Sequence, residues 1–81
     1  MEVAFTPASW RDWQRLTKAV QTQLHSKLAH YSTSPLKYAV KLTNPVIGTY
    51  RFRVGNYRIV FDITGNTLIV QAVGHRKDIY R

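Results

Sequence analysis

Arg51, Arg53 and Arg58 lie close together in the chain, and His75, Arg76 and Tyr80 fall near its C-terminus. These residue types suit a phosphate-bearing ligand. Guanidinium forks match phosphate oxygens two at a time. Tyrosine rings stack on splayed bases, the usual grip on single-stranded RNA. Histidine and tyrosine also carry protons. Whether the groups meet depends on the strands that hold them.

The stretch Gly48 to Arg81 reads as strands punctuated by two Gly-Asn pairs. A two-residue loop at Gly55-Asn56, with glycine taking the positive φ, places Val54 opposite Tyr57. Counting back, Arg53 faces Arg58, Phe52 faces Ile59, Arg51 faces Val60 and Tyr50 faces Phe61. Side chains alternate faces along a strand. Tyr50, Phe52, Val54, Tyr57, Ile59 and Phe61 therefore share one side, and Arg51, Arg53 and Arg58 the other. Like charges directly opposite weaken a sheet by a few tenths to about 1 kcal/mol per pair, so this patch points to an anionic ligand more than to stability. A second loop at Gly65-Asn66 sets Ile63 opposite Leu68, Phe61 opposite Val70 and Ile59 opposite Ala72. The basic face then also carries Asp62, Gln71, Val60, Ile69 and Val73, with Asp62 and Asp78 expected to pair with nearby arginines.

The preceding residues must cover the apolar face. Glu2-Val3-Ala4-Phe5 reads as a strand joining the sheet. Thr6 is a good N-cap with Pro7 at the first helical position. Trp10, Trp13, Leu16, Val20, Leu24, Leu28 and Tyr31 follow at helical spacing, and all are expected to pack in the core. One rod from Pro7 to Tyr31 would run about 37 Å, too long for a short-stranded sheet, so a break is expected near Thr17, which can cap a second helix. Ser32-Thr33-Ser34-Pro35 ends the helical region. Leu36 to Ile47 reads as a loop pinned by apolar anchors, with Asn44-Pro45 breaking any strand. The fold class is α+β: an N-terminal strand, a two-helix hairpin, then a three-stranded antiparallel meander completing a sheet with helices on one face. No linker separates residues 1–81 into more than one domain.

Twelve Lys and Arg against four Asp and Glu leave a net charge of +8 on 81 residues. Such an excess favours nucleic acid, an acidic protein or an anionic membrane surface as partner. There is no cysteine, which removes disulfides and Cys-based zinc sites. His25, His30 and His75 have few carboxylates around them, so neither metal nor cofactor is expected. The chain has no Walker loop, G-x-G-x-x-G, Ser elbow or H-E-x-x-H. No signal peptide or membrane-spanning apolar run is visible, so the cytoplasm is the expected compartment.

The run GTYRFRVGNYRIVFDI with the terminal GHRKDIYR, preceded by a strand, an α-hairpin and a Pro-containing loop, resembles the RelE/ParE superfamily of toxin–antitoxin toxins. The likeness covers essentially the whole chain. It implies a RelE-type toxin, a ribosome-dependent endoribonuclease that cuts mRNA with basic residues and a tyrosine and no metal. By position, the family's basic pair lands on Arg51 and Arg53, its post-turn arginine on Arg58, its late arginine on Arg76 and its C-terminal tyrosine on Tyr80. The founding RelE type has lysines where Arg51 and Arg53 stand, and its tyrosine lies slightly further along. A base role for a lysine there does not transfer, because arginine effectively never loses its proton.

Cleavage of this type needs a deprotonated 2′-OH, a stabilised phosphorane and a protonated 5′-oxygen. Arg51, Arg53, Arg58 and Arg76 suit the second need by electrostatic preorganisation. Nearby positive charge favours a phenolate, and the resemblance puts Tyr80 first as base. His75, whose imidazole can both take and give a proton, competes for the base or acid role. The implied partners are a cognate antitoxin covering the basic face, the ribosome and mRNA, and operon DNA through the antitoxin, with no membrane. Two alternatives stand beside this: a ParE-like inhibitor of DNA gyrase without nuclease activity, and an inactive module that only sequesters antitoxin.

Overall fold

Local signals set most of the secondary structure. The computed structural model describes residues 1–43 and 47–79. Strand β1 (Glu2–Phe5) leads into helix α1 (Pro7–Gln14), where the Thr6 side chain accepts from the Ser9 amide and Pro7 opens the first turn. Helix α2 (Lys18–Tyr31) starts where Thr17 accepts from the Val20 amide, so the break falls where the sequence placed it. Gln21 locks the junction, its Nε2 donating to the Trp13 and Leu16 carbonyls at 2.9 and 3.3 Å. The Trp13 carbonyl also accepts from the Leu16 amide at 3.1 Å, so the end of α1 and the link to α2 share one set of bonds.

The stretch read as a pinned loop contains two further elements. Pro35–Tyr38 makes one helical turn, α3, and Val40–Lys41 forms a short strand, β2. Pro35 supplies the preset φ of a first helical residue. Tyr38 stacks on Tyr31 at 4.6 Å between centroids, which fastens the turn to α2. Asn44-Pro45, the expected strand breaker, lies outside the described residues.

Strands β3 (Tyr50–Val54), β4 (Tyr57–Thr64) and β5 (Thr67–His75) follow. Gly55 and Gly65 both adopt φ of +58°, and the asparagines after them do not go positive, as a type II′ hairpin turn requires. The β3–β4 register is the expected one, from Tyr50 opposite Phe61 to Val54 opposite Tyr57. Among the described residues five strands form one sheet in the order β1-β5-β4-β3-β2, with β1 parallel to β5 and the other pairs antiparallel. The helices cover one face, over a core of Leu24, Leu28, Phe52, Val54, Ile59, Phe61, Leu68, Val70 and Val73.

Two expectations need correction. Ile59 faces Val73, not Ala72, because the β4–β5 ladder slips between Val60 and Phe61. Phe61 pairs with Val70 and Val60 with Ala72, leaving Gln71 as the extra residue of a β-bulge. The slip turns Val73 into the core. Trp10 is 48% exposed, though its ring meets Phe5 edge-on at 5.5 Å; Trp13, by contrast, packs against the core. No helix among the described residues is long and apolar enough to cross a membrane.

Candidate functional site

Directly paired residues project to the same side of the sheet, so its non-helical face is a series of rungs. One rung holds Val40, Arg51, Val60 and Ala72; the next holds Arg53, Arg58 and Gly74. Three arginines thus sit on adjacent rungs of one face, where the hairpin count placed them.

Only part of that face is open. Val60 lies on it yet is fully buried. A Cβ on Gly48 would come 2.8 Å from the Val60 Cγ1 and 3.4 Å from the Phe61 carbonyl, so the segment before β3 presses its backbone against the strand. Asp62 holds that segment down. Its Oδ1 accepts from the Thr49 amide at 2.8 Å and its Oδ2 from the Gln71 side chain at 3.1 Å. The expected Asp62–arginine pairing is therefore replaced by a tie between the loop and the bulge. What remains accessible is the end of the face at the β3–β4 turn.

Arg58 anchors that end. Its side chain is 6% exposed, and Nη1 donates to the Gly55 and Tyr57 carbonyls at 2.9 and 2.8 Å. Arg53, directly opposite, is exposed, and Arg51 is half-buried. Arg76 reaches the same corner by a route the sequence did not show. Past β5 its amide donates to the Asn56 carbonyl at 2.7 Å, extending the ladder along the hairpin turn. Residues 76–79 then turn back, with the Asp78 and Ile79 amides bonded to the His75 carbonyl at 2.9 and 3.1 Å.

His75 is not part of this cluster. It pairs with Tyr57 on the helix side, the rings meeting edge-on at 5.6 Å. Its Nδ1 accepts from the Lys77 amide at 3.1 Å, so the neutral ring carries its proton on Nε2. The bulge causes this placement by setting the register of everything after Gln71. Tyr80 lies outside the described residues. No group of three or more His, Cys, Asp or Glu among the described residues could hold a metal.

Sequence reasoning missed the supports of the site. The Asp12 carboxylate accepts from the Val73 amide at 3.4 Å, holding β5 just past the bulge from helix α1. Ser9 is fully buried and donates to the Val70 carbonyl at 2.7 Å. Neither carries a local signal, since each partner is 61 residues away.

The family described as the ParE toxin of type II toxin–antitoxin systems, parDE, matches residues 3–80. The chain belongs to this toxin family. Within it, the chain is RelE-like. It is 30% identical to toxin RelG of Mycobacterium tuberculosis over 82 aligned positions, 98% of this chain and 94% of that protein. It is 45% identical to toxin RelE3 of Methanocaldococcus jannaschii over 49 residues, a match spanning 60% of this chain and 56% of that relative. The toxin–antitoxin complex RelBE2 of M. tuberculosis contains a chain that superposes with a TM-score of 0.80 at 28% identity, covering 95% of this chain and 92% of that one. The strand order and the helix-covered face described above are thus those of a type II toxin.

Proposed function

We propose that this toxin is a ribosome-dependent mRNA endoribonuclease of the RelE type. It cleaves by metal-independent attack of a ribose 2′-OH on the adjacent phosphate. The observation that carries the reading is the gathering of Arg51, Arg53 and Arg58 on adjacent rungs, with Arg76 brought to the same turn by its bond to Asn56. In the attack, the 2′-oxygen loses its proton and bonds to phosphorus, and the bond to the 5′-oxygen breaks as that oxygen takes a proton. The equatorial oxygens gain negative charge between these events. Fixed guanidiniums around them lower the barrier because they need no reorganisation at that moment. The bonds from Arg58 to two backbone carbonyls hold one such group still. With His75 facing the helix side, Tyr80 is the residue assigned to the base in this reading.

The partners follow the same charge logic. Relatives were solved as toxin–antitoxin complexes, which supports a cognate antitoxin as partner; in this reading it has acidic character and covers the arginine face, and operon DNA is reached through it. The net charge of +8 suits ribosomal RNA as well as the message, and translation places the activity in the cytoplasm. The family's ParE description favours one competitor, inhibition of DNA gyrase without cleavage. Primer extension on programmed ribosomes separates the two. Cuts within A-site codons that disappear in Arg76→Ala and Tyr80→Phe are the expected result. Intact mRNA together with loss of gyrase supercoiling would replace this reading with the competitor.

A further inference from the structure

Gly74 ends the rung of Arg53 and Arg58 at the accessible end of the basic face, and its glycine identity has no explanation in the fold. Gly55 and Gly65 are needed for positive φ, and Gly48 for its close approach to Val60. Gly74 has neither reason. Its φ lies outside the positive region, and a Cβ built on it would meet no described atom within 4 Å. A glycine inside a strand forgoes packing and backbone order, and otherwise marks a bulge or the close approach of a ligand or another backbone. The bulge lies elsewhere, at Gln71.

The neighbours of Gly74 indicate what approaches. It pairs directly with Arg58 in the rung that begins at Arg53, and Arg76 is two residues further on. A bare strip of main chain thus lies between Arg58 on the paired strand and Arg76 further along its own, with Arg53 one strand beyond Arg58. We infer that Gly74 is the floor of the substrate groove, where the ribose–phosphate backbone of the RNA lies in van der Waals contact with the strand while arginines hold its phosphates. This rests on the endoribonuclease reading and adds a contact to it. A side chain at 74 would lift the strand away from Arg58, whose own side chain is held by the Gly55 and Tyr57 carbonyls and is poorly placed to follow.

The test is a size series at this position, Gly74→Ala and Gly74→Val, measured with full-length protein on programmed ribosomes and by thermal melting. Cleavage is expected to fall in order of side-chain volume, roughly 10-fold for alanine and 100-fold or more for valine, 1.4 kcal/mol of barrier per tenfold. Melting temperatures should match or exceed wild type, since a strand favours both replacements over glycine. A purely structural role would lower rate and melting temperature together, and that result would overturn the inference. So would wild-type cleavage by the valine variant. Should valine fail to fold, the alanine variant carries the test by the same two readouts. Absence of cleavage by the wild-type protein would remove the endoribonuclease reading itself, a different failure.

Discussion

Replacing Arg53 with glutamate should make this protein more stable and less active. Arg53 stands directly across from Arg58, so the wild-type rung places two cations side by side. Arg53→Glu removes a like-charge pair and creates an opposite-charge one, each change worth about 0.2–1 kcal/mol in a sheet. Arg53 is exposed, so solvent screening holds the net gain to about 0.3–1 kcal/mol. At about 4–8 °C per kcal/mol for a domain of this size, melting should rise by about 1–8 °C. Cleavage should fall by about 100- to 1000-fold, the usual loss when one preorganised donor to a developing oxyanion is removed. Arg53→Gln is the control. It should lose activity to a similar degree while gaining less stability. The difference between the two melting temperatures should collapse from 0.1 to 1 M salt, as the Debye length falls from about 10 to about 3 Å. A melting temperature below that of the glutamine variant, or unchanged cleavage, would refute the claim that this rung is held repulsive for an anionic ligand.

Two further predictions concern the scaffold. Asp62→Ala removes the acceptor for the Thr49 amide and the Gln71 side chain, and should cost about 1–3 kcal/mol in urea unfolding. Its amide exchange should rise at Thr49 while the helices stay protected. Phe52→Ala empties a fully buried position that touches Phe61 at 4.3 Å and Tyr31 at 5.2 Å between centroids. The expected loss is about 3–5 kcal/mol, enough to leave a small domain largely unfolded at 37 °C by circular dichroism.

The parts of the site that the sequence disclosed are those set by short-range geometry. Two residues between Val54 and Tyr57 leave one register for the hairpin, and that register alone places Arg51, Arg53 and Arg58 on one face. The caps at Thr6 and Thr17 were equally visible, because a cap is a contact between residues three apart. Arg76 was singled out by resemblance, with no local feature to locate it. His75 was grouped with the arginines for its chemistry and its place near the end of the last strand, and Val73 was put on their face by an alternation count without the bulge; a single extra residue reverses every later side chain.

Residue order by itself determined the α+β class, both hairpin turns, the helix break and the side of the sheet that bears the charge. Each follows from loop length, side-chain period or a capping residue within a few positions. Tertiary structure decided the rest: the bulge, the roof of Gly48 over Val60, the added α3 and β2, and the position of Arg76 against Asn56. These depend on partners far apart in the chain, such as Asp12 with Val73 and Asp62 with Thr49. Their energies exist only once the strands and helices have packed, so no window of the sequence contains them.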